Sequence, residues 1–363
     1  MTKREKVKRA LNFKEVGLYP KDFGGTCVTS ITLSAHKILK EYLRIKDYTE
    51  NIIDYTLGVV EVNKKIREIL DIDFIRIGPN LSKPELIDGI WTDDWGIKRR
   101  QAIPYDYFDV VYNPIKDMGI EELDKINWPS PKNNLFLGLK EKVEDLKENS
   151  PYAIIADTVA LGIFGSGTRM RGFEQFFIDL MTDEKFVFAF YDRLILYHKT
   201  VYKNYLDIVG KYIDVVCFYD DLGTQDRLFL PPNIFKKLIK PYYKELFGLI
   251  KNNTAAKLFL HTCGSVYPII EDLIEVGVDI LNPVQPQAKD MDPIKLKNEF
   301  GDRLIFWGGI EEQGYLCHET ADKVKKNINK IYEHMNRNGG YVLATSHNIQ
   351  TDVPPENIIV MYK

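Results

Sequence analysis

Cysteine is scarce in this sequence: Cys27, Cys217, Cys263 and Cys317 are the only four among 363 residues, and they lie far apart. A chain of this length builds a core without disulfide staples, so a reducing cytoplasm is the expected setting. No run of about 18 uncharged apolar residues occurs, and Met1 is followed by a charged amphipathic segment. Neither a membrane span nor a signal peptide is therefore expected. Charge of one sign is also lacking, with a formal net charge of −3. The longest basic cluster, Lys3-Arg4-Glu5-Lys6-Val7-Lys8-Arg9, is broken by Glu5 and spaced like a solvated helix face, which argues against a nucleic-acid partner. Repeats of solenoid period, low-complexity tracts and phosphate-loop patterns are absent. The Gly308-Gly309 pair has no G-x-G-x-x-G or Walker pattern around it, and close backbone approach to a bulky ligand is enough to account for it.

What is present is apolar matter in a regular order. The sequence is 45% hydrophobic and 12% aromatic, enough to bury about three quarters of the unfolded surface. Thr2 is placed to cap a first helix through Leu11, after which short apolar runs alternate with helical patterns. The runs predict strands at Gly17–Phe23, Phe74–Ile77, Ala153–Ala156, Asp214–Tyr219, Lys257–His261, Ile280–Pro283, Leu304–Trp307 and Tyr341–Thr345. Segments such as Pro232–Lys251, Val266–Val276 and Ala321–Arg337 carry apolar residues at helical spacing. Strand and helix in alternation mean a parallel sheet, and eight strands suggest closure into an α/β (β/α)8 TIM barrel, read as one domain over residues 1–363. The connection from Asn80 to Ser150 is too long for one helix. Its Trp91, Asp93-Asp94-Trp95-Gly96, Arg99-Arg100 and many tyrosines predict a hairpin insertion after the second strand, then a polar helix over about Lys132–Asn149. Such an insertion serves either as a lid or as a cover for one edge.

In a barrel the C-terminal strand ends hold the chemistry. Here they are rich in polar groups: Asp22 with Gly24-Gly25, Arg76, Asp157, Asp220-Asp221, His261 with Cys263, Asn282 with Gln285, and Ser346-His347-Asn348. On an extended segment residues i and i+2 share a face, so His261 and Cys263 can both point into the mouth, where imidazole and thiolate suit zinc. A third ligand must come from another strand end. His347 is the first choice, and Asp220, Asp221 or Asp157 offers an oxygen. The alternative is a buried histidine beside an inert thiol. Asp220 and Asp221 follow a run buried on both faces, so only one of them can face inward, as base or ligand, while its neighbour caps a loop. Cys217 lies inside that run and is expected in the core.

At these same residues the chain resembles the uroporphyrinogen decarboxylase superfamily, which includes corrinoid-dependent methyltransferases. The likeness runs through Arg4-Glu5-Lys6-Val7-Lys8-Arg9-Ala10-Leu11-Asn12, Asp22-Phe23-Gly24-Gly25-Thr26 and Asp94-Trp95-Gly96. It continues with Asp221-Leu222-Gly223-Thr224-Gln225, His261-Thr262-Cys263-Gly264-Ser265, Asp279-Ile280-Leu281-Asn282-Pro283-Val284-Gln285 and Trp307-Gly308-Gly309-Ile310. It ends with Ser346-His347-Asn348-Ile349-Gln350-Thr351-Asp352-Val353-Pro354-Pro355-Glu356-Asn357. The resemblance implies the barrel, and a final helix longer than the stretch ending at Lys363.

True decarboxylases of the family carry arginines after the first strand that hold a polyanionic tetrapyrrole. Pro20-Lys21-Asp22-Phe23-Gly24-Gly25-Thr26 has none, and Lys21 with Arg76 is a poor replacement. The methyltransferase branch holds zinc with a His-x-Cys pair and a late cysteine. His261 and Cys263 match the pair, whereas the late position is His347. The resemblance therefore implies zinc on His261, Cys263 and His347. It implies a proton handled by Asp221, Asp157 or Asp220, and a substrate met by Asp22, Arg76, Asn282 and Gln285. Its partners would be a small-molecule methyl donor or acceptor and a corrinoid carried on a separate protein, and a homodimer is compatible with it. Metal-free decarboxylation of a pyrrolic or aromatic acid, and a non-catalytic corrinoid- or tetrapyrrole-binding barrel, are the alternatives.

Overall fold

Thr2 opens the first helix, Lys3–Ala10, with a reciprocal cap: its hydroxyl accepts from Glu5 N at 3.2 Å, and the Glu5 carboxylate accepts from Thr2 N at 2.7 Å. In the computed structural model, which describes residues 1–363 except Pro104, Asp106, Asn127, Pro131 and Lys132, this helix leads into a small antiparallel sheet. Its strands are β1 (Ile31–Thr32), β2 (Ile52–Asp54) and β3 (Val59–Val60), in the order β1-β3-β2. β4 (Phe74–Ile77) follows, then a four-stranded antiparallel sheet of β5 (Leu86–Ile87), β6 (Ile90–Thr92), β7 (Lys98–Gln101) and β8 (Phe108–Tyr112). The remaining strands are β9 (Ala153–Ala156), β10 (Val215–Tyr219), β11 (Lys257–His261), β12 (Ile280–Val284), β13 (Ile305–Gly308) and β14 (Tyr341–Val342).

β4 and β9 to β14 pair in parallel, in the order β14-β13-β12-β11-β10-β9-β4. Residues 20–22 occupy the eighth place. Asp22 N donates to Leu343 O and Leu343 N to Pro20 O, both at 2.9 Å, while on the other side Asp73 N donates to Lys21 O at 2.9 Å. The fold is a TIM barrel, and its strands follow the predicted apolar runs. The exception is Gly17–Phe23, which forms a single parallel bridge, Lys21 with Leu343, rather than a full strand. Pro20 has no N–H to give a ladder, and Gly24, at φ 82°, turns the chain away.

Side chains alternate across the wall as a period of two requires. Phe74, Ala153, Ile155, Val215, Cys217, Phe259, Ile305, Trp307 and Val342 form an inner core that also takes in Val7 of the first helix and Leu11 at its C-terminal end. Cys217 is fully buried there, as expected. Their neighbours, among them Ile154, Val216, Leu258, Leu281 and Phe306, face the outer helices.

Three further predicted segments differ from what is observed. The insertion is a four-stranded sheet rather than a single hairpin. The helix expected from Lys132, which lies outside the described residues, is observed as Leu139–Asn149 after a 3-10 turn over Asn133–Phe136. The helix expected over Pro232–Lys251 is broken by a π-turn at Phe235–Ile239 just before Pro241, whose missing N–H and bulky ring disrupt the α-helical ladder. Among the described residues no helix is long and apolar enough to cross a membrane.

Candidate metal centre at the strand ends

β11 ends on His261, and Cys263 follows two residues later. Their side chains meet, with Sγ 3.4 Å from His261 Nε2. His347, from the segment beyond β14, completes a cluster: one ligand atom from each of His261, Cys263 and His347 lies within 4.8 Å of the others. The rings of His261 and His347 stand 5.6 Å apart, edge to face.

Asn282 on β12 decides which histidine nitrogen is free. Its amide nitrogen donates to Trp307 O at 3.1 Å, so its oxygen is turned to His261 Nδ1 at 2.6 Å. Nδ1 therefore carries the proton, and Nε2 keeps a lone pair facing Cys263. Burial pushes the pKa of His261 below its ordinary value and that of His347 down to about 4, so both rings stay neutral near pH 7. The Cys263 thiol is pushed well above its usual value by burial and by the Asp221 carboxylate. Two neutral imidazoles and one thiol form a donor set that fits a tetrahedral zinc with a fourth position left for a ligand.

The two adjacent acids divide their work. Asp220 turns away from the centre and caps the helix Ile163–Met170: its oxygens accept from Phe164 N at 2.8 Å and Gly165 N at 2.7 Å, and Tyr243 Oη adds a bond at 2.8 Å. Burial raises its pKa to about 6. Asp221 is the inward acid. It accepts from Cys263 N at 2.9 Å and lies 3.7 Å from His261 Nε2. Burial acts to raise its pKa, while the hydrogen bond from Cys263 N and the nearby Arg169 guanidinium act to lower it.

Asp157 is anchored on every side. It accepts from Cys27 N at 3.0 Å and Thr158 N at 2.9 Å, pairs with Arg76 Nε, and accepts the Tyr219 hydroxyl. Tyr219 in turn stacks edge-on to His261, with ring centroids 5.4 Å apart. Arg76 is thus joined to the centre through Asp157 and Tyr219. Asp22 is fully buried and saturated by Gly25 N at 2.7 Å, Thr29 Oγ1 at 2.7 Å and Trp307 Nε1 at 2.9 Å. It braces the wall, and burial raises its pKa to about 7. Gln285 accepts from Gly264 N at 2.5 Å and so fixes the loop that carries Cys263. Asn282 and Gln285 therefore hydrogen-bond to the segment that carries His261 and Cys263.

Two residues of this region escaped the sequence reading. Glu312 is buried, accepts from His347 N at 3.2 Å, and has its pKa raised to about 7 by burial. Arg169 stands beside Asp221 on a cavity of about 430 Å³ walled by Phe164, Phe173 and Phe229. Two further hollows open on the same mouth. One of about 130 Å³ joins His347 to Tyr105 and Tyr107, and one of about 300 Å³ joins Glu312 to Ser346 and Gln285.

The family model of uroporphyrinogen decarboxylase (URO-D) matches residues 110–363, and this chain belongs to that family. Among solved structures, a methyltransferase from Methanosarcina mazei is 16% identical and superposes with a TM-score of 0.69, covering 99% of this chain and 97% of that one. At that identity the likeness is one of fold. A GH113 beta-1,4-mannanase, 10% identical, covers 96% of this chain and 99% of its own with a TM-score of 0.43, too slight a likeness to argue from. No curated protein sequence matches the chain.

Proposed function

We propose that this protein is a zinc-dependent methyltransferase that moves a methyl group between a small substrate and a corrinoid carried by a separate protein. The convergence of His261, Cys263 and His347 within 4.8 Å at the strand ends carries the reading. In it residues 1–363 act as one barrel domain, and residues 80–150 are an insertion at its mouth. Bound zinc would supply Lewis acidity, polarising the substrate atom that bears the methyl group.

The chain's own residues do the rest. Asn282 holds His261 in the tautomer that ligation needs. Asp221, which accepts from Cys263 N at 2.9 Å and lies 3.7 Å from His261 Nε2, is the carboxylate placed to take a proton that the substrate sheds. Asp157 and Asp220, with their acceptor positions engaged, orient Tyr219 and the helix Ile163–Met170 instead. With one sulfur in the set rather than two, His261, Cys263 and His347 would leave a bound zinc more positive character, which would suit an oxygen-bound methyl group better than activation of a thiol.

Metal analysis of Cys263→Ser tests the reading. Its zinc content is expected to fall by about an order of magnitude while far-UV circular dichroism stays intact. The wild type, loaded with zinc, should methylate cob(I)alamin from a methyl ether. Unchanged zinc stoichiometry in the variant would return Cys263 to the status of an inert thiol.

A further inference from the structure

The cavity of about 430 Å³ beside Asp221 has a composition of its own. One side is aromatic. Phe229 packs edge-on to Phe173 at 5.6 Å and tilted against Phe164 at 5.9 Å, while Phe177 lies behind, 4.7 Å from Phe173. Phe173 opens the helix Phe173–Thr182 with 56% of its surface exposed, an unusual position for a large apolar ring unless something covers it. The other side is cationic. Among the described residues the Arg169 guanidinium forms one hydrogen bond, Nη1 to Gly165 O of its own helix at 3.2 Å, and no ion pair. A half-buried guanidinium with free donors on an aromatic-walled cavity is a ready fork for a carboxylate.

We infer that this cavity is the substrate pocket and that it takes an aromatic carboxylate, with its ring against Phe164, Phe173 and Phe229 and its carboxylate on Arg169. Charge orients the ligand. Arg169 is the cation on this cavity, so the carboxylate turns to its guanidinium, and the neutral end of the ring is left to face Asp221, which lies 3.7 Å from His261 Nε2. The volume falls within the range of small-ligand pockets and leaves room for a substituted single ring. Pairing with Arg169 stabilises the bound carboxylate before any reaction, which opposes its loss as CO2 and makes it a handle rather than a leaving group. The inference deepens the proposed function by naming the substrate class, but the binding itself requires neither zinc nor methyl transfer.

The test is therefore made on chelator-treated, metal-free protein, with benzoate and its neutral counterpart benzyl alcohol titrated at low ionic strength and followed by ligand-observed NMR. Benzoate should bind the wild type about tenfold or more tighter than benzyl alcohol. Arg169→Met should abolish that preference, and Phe173→Ala, a change at the exposed lip, should weaken both ligands. Equal affinity of the wild type for the two, or undiminished benzoate binding by a folded Arg169→Met variant, overturns the inference. Zinc content separates the two ideas: loss of zinc in Cys263→Ser without any benzoate preference sinks the pocket alone, and the reverse pattern sinks the metal centre alone.

Discussion

Asn282 accepts from His261 and donates to Trp307 O, so both ends of its amide are committed. Asn282→Ala should leave His261 free to rotate and to change tautomer, lowering zinc affinity about 10- to 100-fold in competition with a chromophoric chelator. Undiminished affinity would show that the ring is held by something else. Asp22 yields a prediction of another kind. Its pKa is raised by burial from 3.8 to about 7, so between those values the folded chain holds a proton that the unfolded chain has released. Its contribution to stability is complete below the unfolded value and disappears as pH rises through about 7. The change has an upper bound on the order of 4 kcal/mol. Denaturant titrations across that window should show stability falling with pH, and Asp22→Asn should flatten the slope; an equal slope in the variant would place the titration elsewhere. At this scale the sequence was legible where a residue type sits at a fixed offset from an apolar run, as with His261 and Cys263. It was not legible for Arg169 and Glu312. Arg169 belongs to a helix whose first turn is held by Asp220 from a distant strand, and Glu312 reaches His347 N from a loop after β13. Neither contact leaves a mark in local spacing.

The loops after β10 and β11 lock together through Gly264. At φ 85° it adopts a conformation that favours glycine, and an added Cβ would come within 2.5 Å of Gly223 C and Thr224 O. Gly264→Ala should therefore displace the loop carrying Cys263. The expected result is a loss of about 1–3 kcal/mol in stability together with weaker zinc binding, read from denaturant titration and metal content on the same preparation. A variant with wild-type values for both would mean that the loop adapts freely. The elements most legible in sequence were the inner strands, because burial on both faces leaves continuous apolar runs. The segment at 20–22 was harder to read, since its barrel role rests on three backbone bonds rather than on a run of strand formers. The π-turn before Pro241 and the count of strands in the insertion depend on packing and on pairing partners, which periodicity does not encode.

The whole molecule follows from the alternation of strands and helices. An inner core that includes Cys217, Phe259 and Trp307 fixes the strand ends, and the strand ends bring together side chains from positions as far apart as 261 and 347. Membership of the URO-D family accounts for the barrel, whereas His347 brings a third side chain to the cluster with His261 and Cys263. The most direct measurement is zinc content, by inductively coupled plasma analysis, of the wild type and of Cys263→Ser, His261→Ala and His347→Ala, all purified and zinc-loaded in parallel. The account predicts about one zinc per chain in the wild type and a marked loss in each of the three variants, with circular dichroism unchanged. A wild type that takes up no zinc, or a His347→Ala variant that binds it as well as the wild type does, would contradict it.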